Sequence, residues 1–109
     1  MIRYPFAGLA GVLLLAVVGA EARAADVSIS ERDMAFVPDH VTIKQGDRII
    51  FRNDSDLSHQ VIVAKGAAPD MALAKQHRGE TATLTISARG TLEIGCDFHP
   101  MMTLTVTVE

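Results

Sequence analysis

One short segment of the chain is dense in reactive side chains: Cys96-Asp97-Phe98-His99-Pro100-Met101-Met102. It sets a thiol, an imidazole and a thioether three residues apart. Each of these groups binds soft or borderline metals. A thiolate joined to a thioether selects copper, in its Cu(I)/Cu(II) pair, over hard ions. The spacing has a geometric reason. In a tight loop, residues three apart can bend back toward one point, and even fully extended they lie within ~10 Å. Pro100 stiffens the turn directly after His99. Cys96 is the only cysteine, so no internal disulfide can form. An odd cysteine then implies an intermolecular bridge, a reactive thiol or a metal ligand.

Three donors from one loop leave room for a fourth from elsewhere. His59 is the best candidate, because it opens an apolar run after the polar stretch Asn53-Asp54-Ser55-Asp56. Two imidazoles, a thiolate and a long axial thioether make the blue-copper arrangement. His40, between Asp39 and Val41, and His77, between Gln76 and Arg78, read as ordinary solvated histidines. Met34 and Met71 read as flexible fillers. Residue types alone leave the thioether open between Met101 and Met102.

The elements that must position these groups read as short strands. Val27 and Ile29 alternate with Ser28 and Ser30; Met34 and Phe36 sit two apart. Val41 to Lys44 alternates and ends at the turn signal Gln45-Gly46-Asp47. Arg48 to Arg52, His59 to Val63, Thr81 to Ser87, Thr91 to Gly95 and Thr103 to Val108 complete the set. Leu104, Val106 and Val108 share the inward face of the last strand. Met71-Ala72-Leu73-Ala74-Lys75 has helical composition, with Asp70 placed to start a short helix. Seven or eight closely spaced strands with one short helical insertion point to an all-β sandwich or barrel.

The first 24 residues read as a cleaved secretory signal. Arg3 supplies the positive start, Leu9 to Val18 the apolar stretch, and Ala22-Arg23-Ala24 the small-x-small cleavage site. The apolar stretch is too short to span a bilayer, which takes ~20 residues. The expected domain is residues 25–109. It keeps 8 Lys+Arg against 12 Asp+Glu, a net charge of −4. That balance argues against nucleic acid and anionic membranes as partners. With no Trp, and Phe36, Phe51 and Phe98 as its aromatics, such a domain has a marginal core that a bound metal would support.

Taken together, these residues resemble a small cupredoxin of the amicyanin, plastocyanin and pseudoazurin group. Cys96 through Met102 fits the amicyanin-type short loop, Cys-x-x-His-Pro-x-Met, at every defined position. Met34-Ala35-Phe36-Val37-Pro38 resembles the family's early strand segment. Gly46 to Asn53 resembles its Gly-Asp strand ending in Asn, and Asn53 precedes His59 by six residues as in the family. Ser58 stands where amicyanin-type chains have Pro, and Leu104 where they have Gly. The resemblance implies a Greek-key cupredoxin sandwich. It implies one type 1 copper, with His59, Cys96 and His99 equatorial and Met102 axial. Asn53 would tie the two ligand loops together from behind the ligands.

The function this implies is that of a periplasmic electron carrier and not an enzyme. Two neutral imidazoles, a thioether and one thiolate give a charge of +1 with Cu(II) and 0 with Cu(I), so water can be kept out. Four protein ligands leave no position for a substrate. A redox donor and acceptor would touch the chain transiently near His99, beside Pro100 and Met101. The domain would be a monomer with no stable membrane association once the signal is cleaved. Asp54, Asp56 and Asp97 would steer a basic partner surface. The alternative function is copper storage or delivery, which favours an exposed, exchangeable Cu(I) site. A Cys96–His99 nucleophile pair fits less well, since no third orienting residue and little cleft are in view.

Overall fold

A computed structural model describes residues 24–66 and 71–109. The expected signal segment, apart from Ala24, lies outside the described residues, as does Asp70. Eight strands form: β1 (Asp26–Arg32), β2 (Ala35–Val37), β3 (His40–Ile43), β4 (Arg48–Asn53), β5 (Val61–Lys65), β6 (Thr81–Thr85), β7 (Gly90–Cys96) and β8 (Thr103–Val108).

The strands divide into two four-stranded sheets, ordered β2-β1-β4-β6 and β3-β8-β7-β5. Strand β1 runs parallel to β4, and β3 parallel to β8; the other pairs are antiparallel. The period-two alternation decides which side chains meet between the sheets. Ile29, Phe36, Ile49, Phe51, Leu84 and Ile86 point inward from the first sheet. Val61, Val63, Leu92, Ile94, Leu104, Val106 and Val108 face them from the second. Phe36 and Phe51 meet edge to face, 5.8 Å between centroids.

Polar caps fix the ends of the strands. The Asp47 carboxylate accepts backbone N–H bonds from Ala25 and Lys44 at 2.9 Å each. Those bonds, Ala25's first, hold its carboxyl below the usual range. Asp33 turns the β1–β2 hairpin with φ of 51°, a left-handed conformation that Asp tolerates. This turn sets Met34 at the hairpin tip.

The short helix expected at 71–75 does not form. The segment runs extended along the edge of β5 instead. Val63 N–H donates to the Met71 carbonyl, and Leu73 N–H to that of Val61. His59 and Gln76 exchange both backbone bonds, at 3.0 and 2.7 Å. Helix propensity amounts to a few tenths of a kcal/mol per residue, and the open strand edge of β5 outweighs it. The extended course bears on the site, because this segment holds the backbone around His59.

Candidate metal centre

Three elements bring the donor groups to one end of the sandwich. Cys96 is the last residue of β7 and continues the inward face of Ile94. His59 precedes β5 and continues the inward row of Val61 and Val63 back beyond the strand. The loop from Asp97 to Met102 turns over the top. Its N–H at Met102 donates to the His99 carbonyl at 3.0 Å. That turn sends the Met102 side chain into the core, with 1% of its surface exposed, and leaves Met101 outside at 62%.

The donor atoms converge. His59 Nδ1 and His99 Nδ1 each lie 3.7 Å from Cys96 Sγ. All three atoms fall within 4.8 Å of one another. First-row metals bind thiolate at ~2.3 Å and imidazole at ~2.0 Å. At trigonal angles those lengths separate N from S by roughly 3.7 Å. The spacing therefore fits a metal between these donors, and the donor set is soft enough for copper. The two imidazoles meet edge to face, 5.0 Å between centroids. His59 and Cys96 are buried and His99 is half-buried.

Supporting hydrogen bonds prepare the donors. Ser55 Oγ lies 2.9 Å from His59 Nε2, which leaves Nδ1 free to face the sulfur. The Asn53 Oδ1 atom accepts from both the Ser55 N–H and hydroxyl at 2.9 Å. Burial, then the nearby His99 charge, holds His59 below the ordinary imidazole range; the Asp33 carbonyl works the other way. The neutral ring that results is the form that binds metal. On the sulfur side, Gln60 N–H points at Cys96 Sγ from 3.5 Å.

Asn53 lies where expected but reaches differently. Its Nδ2 donates to the Leu57 carbonyl at 2.7 Å and the Gln76 carbonyl at 3.1 Å. It therefore ties the His59 loop to itself and to the 76–80 segment. Its hydrogen bonds do not extend to the Cys96–Met102 loop, because the side chain points back along its own turn. Ser55, Gln60 and Gln76 carry support that the sequence does not mark. Gln76 is buried and donates to the Phe51 and Glu80 carbonyls, both at 3.0 Å. A small hydroxyl between Asn53 and His59 is the one hint available in the sequence. His77 and His40 stay outside the cluster. His77 is exposed and meets Ser58 Oγ at 3.3 Å, while His40 sits exposed on β3.

The acidic residues are only partly available to steer a partner. Asp54 pairs with Arg52 and Ser30, and Asp56 with Arg78. Asp97 is left exposed beside the loop.

A two-sheet all-β sandwich that gathers a buried thiol and two imidazoles at one end defines the class, a cupredoxin. Comparison with known proteins agrees. The sequence model of the copper binding proteins of the plastocyanin/azurin family matches residues 23–109. A chloroplastic plastocyanin of Fritillaria agrestis is 29% identical over 96 residues, spanning 77% of this chain and 58% of that one. The chain thus spans under two thirds of that relative. A plastocyanin of Ulva prolifera is 29% identical over 86 residues, covering 70% of this chain and 88% of its own length. A reduced amicyanin variant superposes with a TM-score of 0.69 at 26% identity, over 84% of this chain and 88% of that one. The chain belongs to the plastocyanin/azurin family of copper-binding proteins, and its cofactor is copper.

Proposed function

We propose that residues 25–109 form an exported, periplasmic, monomeric blue copper electron carrier, released from a signal at residues 1–24. His59, Cys96 and His99 would hold one copper, with Met102 as the fourth donor. The convergence of both Nδ1 atoms on one buried sulfur carries this reading. Bound copper supplies a single-electron couple. The chain does the rest. Neutral imidazoles and one thiolate keep the buried charge small. The apolar rows behind Cys96 and His59 keep water out. Gln60 N–H holds the sulfur, and Ser55 holds the far nitrogen of His59.

Electrons enter and leave through the half-buried edge of His99. Next to it in the loop lie Pro100 and the exposed Phe98 and Met101, with exposures of 42 and 62%. These form an apolar contact for a redox protein, and carriers of this kind use small, transient interfaces. The burial of Met102 against the exposure of Met101 supports Met102 as the axial donor.

The first test is a visible spectrum of the mature protein with Cu(II), before and after ascorbate. An intense band near ~600 nm that bleaches reversibly is expected. A protein that binds Cu(I) without colour would be a delivery protein instead. The axial donor is tested by potentiometry. Met102→Gln is expected to keep copper and lower the reduction potential, because a harder axial oxygen favours Cu(II). Met101→Gln is expected to leave the potential in place. The reverse pattern would assign the axial position to Met101.

A further inference from the structure

We propose that Met34 and Met101 form a Cu(I) entry site that loads the buried centre, an inference that rests on the copper reading above. Exposed methionines standing singly carry no meaning. These two are not single. Met34, 47% exposed at the β1–β2 tip, and Met101, 62% exposed on the ligand loop, come from segments far apart in sequence. Both line one cavity of about 130 Å³. The buried Met102 lines the same cavity, beside Phe36 and Asp39. Three methionines thus line one small space that opens to solvent.

The donor types select the ion. Thioethers are neutral and soft, so they bind Cu(I) and discriminate against hard dications. The Asp39 carboxylate supplies negative charge to a cation entering between them. Loading is a ligand exchange without electron transfer. Met102 and the two Nδ1 atoms would take over the ion from the Met34 and Met101 sulfurs, and Cys96 would complete the donor set as thiolate, its proton passing to solvent. Thioether and imidazole donors would replace one another in turn, so the ion need not pass bare through the apolar rim. The other exposed methionine, Met71, lines a different cavity with Leu84 and Leu92 and takes no part.

The test mixes the metal-free protein anaerobically with Cu(I) buffered by a chromophoric chelator and follows transfer by stopped flow. The Met34→Leu/Met101→Leu double variant keeps apolar bulk at both positions, so its fold is expected to hold. It is expected to load about tenfold more slowly, equivalent to ~1.4 kcal/mol on the loading barrier. After oxidation its visible band should match that of the unaltered protein. Met71→Leu should load at the normal rate. In a Cys96→Ser background, Ag(I), as a redox-inert stand-in for Cu(I), should shift the methyl resonances of Met34 and Met101 and leave that of Met71 in place. Unchanged loading in the double variant, or methyl resonances of Met34 and Met101 that ignore Ag(I), would overturn the entry site while leaving the blue centre intact. Absence of a blue band in the unaltered protein would instead refute the copper centre, and the entry site with it.

Discussion

Cys96→Ser is expected to abolish the intense visible band while leaving the sandwich folded. The band requires electron donation from a thiolate sulfur to Cu(II), and Cys96 is the only sulfur of that kind in the chain. A serine hydroxyl in the same place stays protonated near neutral pH and is a hard, weak donor. The remaining groups, His59, His99 and Met102, can still hold copper, so the expected product is a pale protein and not an empty one. The substitution leaves a hydroxyl at a site that is 3% exposed, with the Gln60 N–H as one available partner. Partial satisfaction of that kind costs about 1–2 kcal/mol, which a folded domain of this size tolerates. Far-ultraviolet circular dichroism then separates loss of the site from loss of the fold. Strong colour in a folded Cys96→Ser protein would remove the thiolate from the centre.

The order of donors along the chain makes this site readable. Cys96, His99 and Met102 lie in one loop, so their spacing alone implies convergence, and the resemblance then points to His59 as the distant fourth. The strands are legible for a related reason. Ala82, Leu84 and Ile86, and likewise Leu104, Val106 and Val108, alternate cleanly because each strand buries one face and shows the other to water. Features that depend on pairings between distant segments stay hidden. Met71 to Lys75 has helical composition, yet its backbone pairs with β5, and no local signal reports an unfilled strand edge. Ser55 and Gln76 gain their roles only once the 53–59 turn and the 76–80 segment are folded beside each other. For Asn53, sequence spacing fixes which turn it belongs to and not where its amide points.

Glu31 is hidden for the opposite reason, since its charge argues for a surface position. The alternation of β1 instead turns it inward in line with Ile29, and it is 0% exposed. Among the described residues, neither of its carboxyl oxygens has a hydrogen-bond partner. Burial, and to a smaller degree the Asp54 charge, raises its pKa from 4.5 to about 7. In the unfolded chain this group ionises near 4.5, while the folded core keeps it protonated up to about 7. Between those values folding takes up a proton, so stability falls as pH rises and remains low above the folded pKa. The full loss is about 3 kcal/mol.

Glu31→Gln removes the titration and nearly preserves the shape. The variant is therefore expected to be the more stable protein at pH 8 by of order 2 kcal/mol, or roughly 10 °C in Tm for a domain of this size. Near pH 5 the two should lie close together, because wild-type Glu31 is then neutral in the core. His59 titrates as well, but it is common to both proteins and cancels in the difference. Thermal unfolding of the metal-free proteins at pH 5, 6.5 and 8 reads the effect directly. A difference that grows with pH in favour of glutamine places a proton-binding carboxyl inside the sandwich. Parallel pH profiles would mean that Glu31 keeps its charge solvated and that β1 does not hold it in the core.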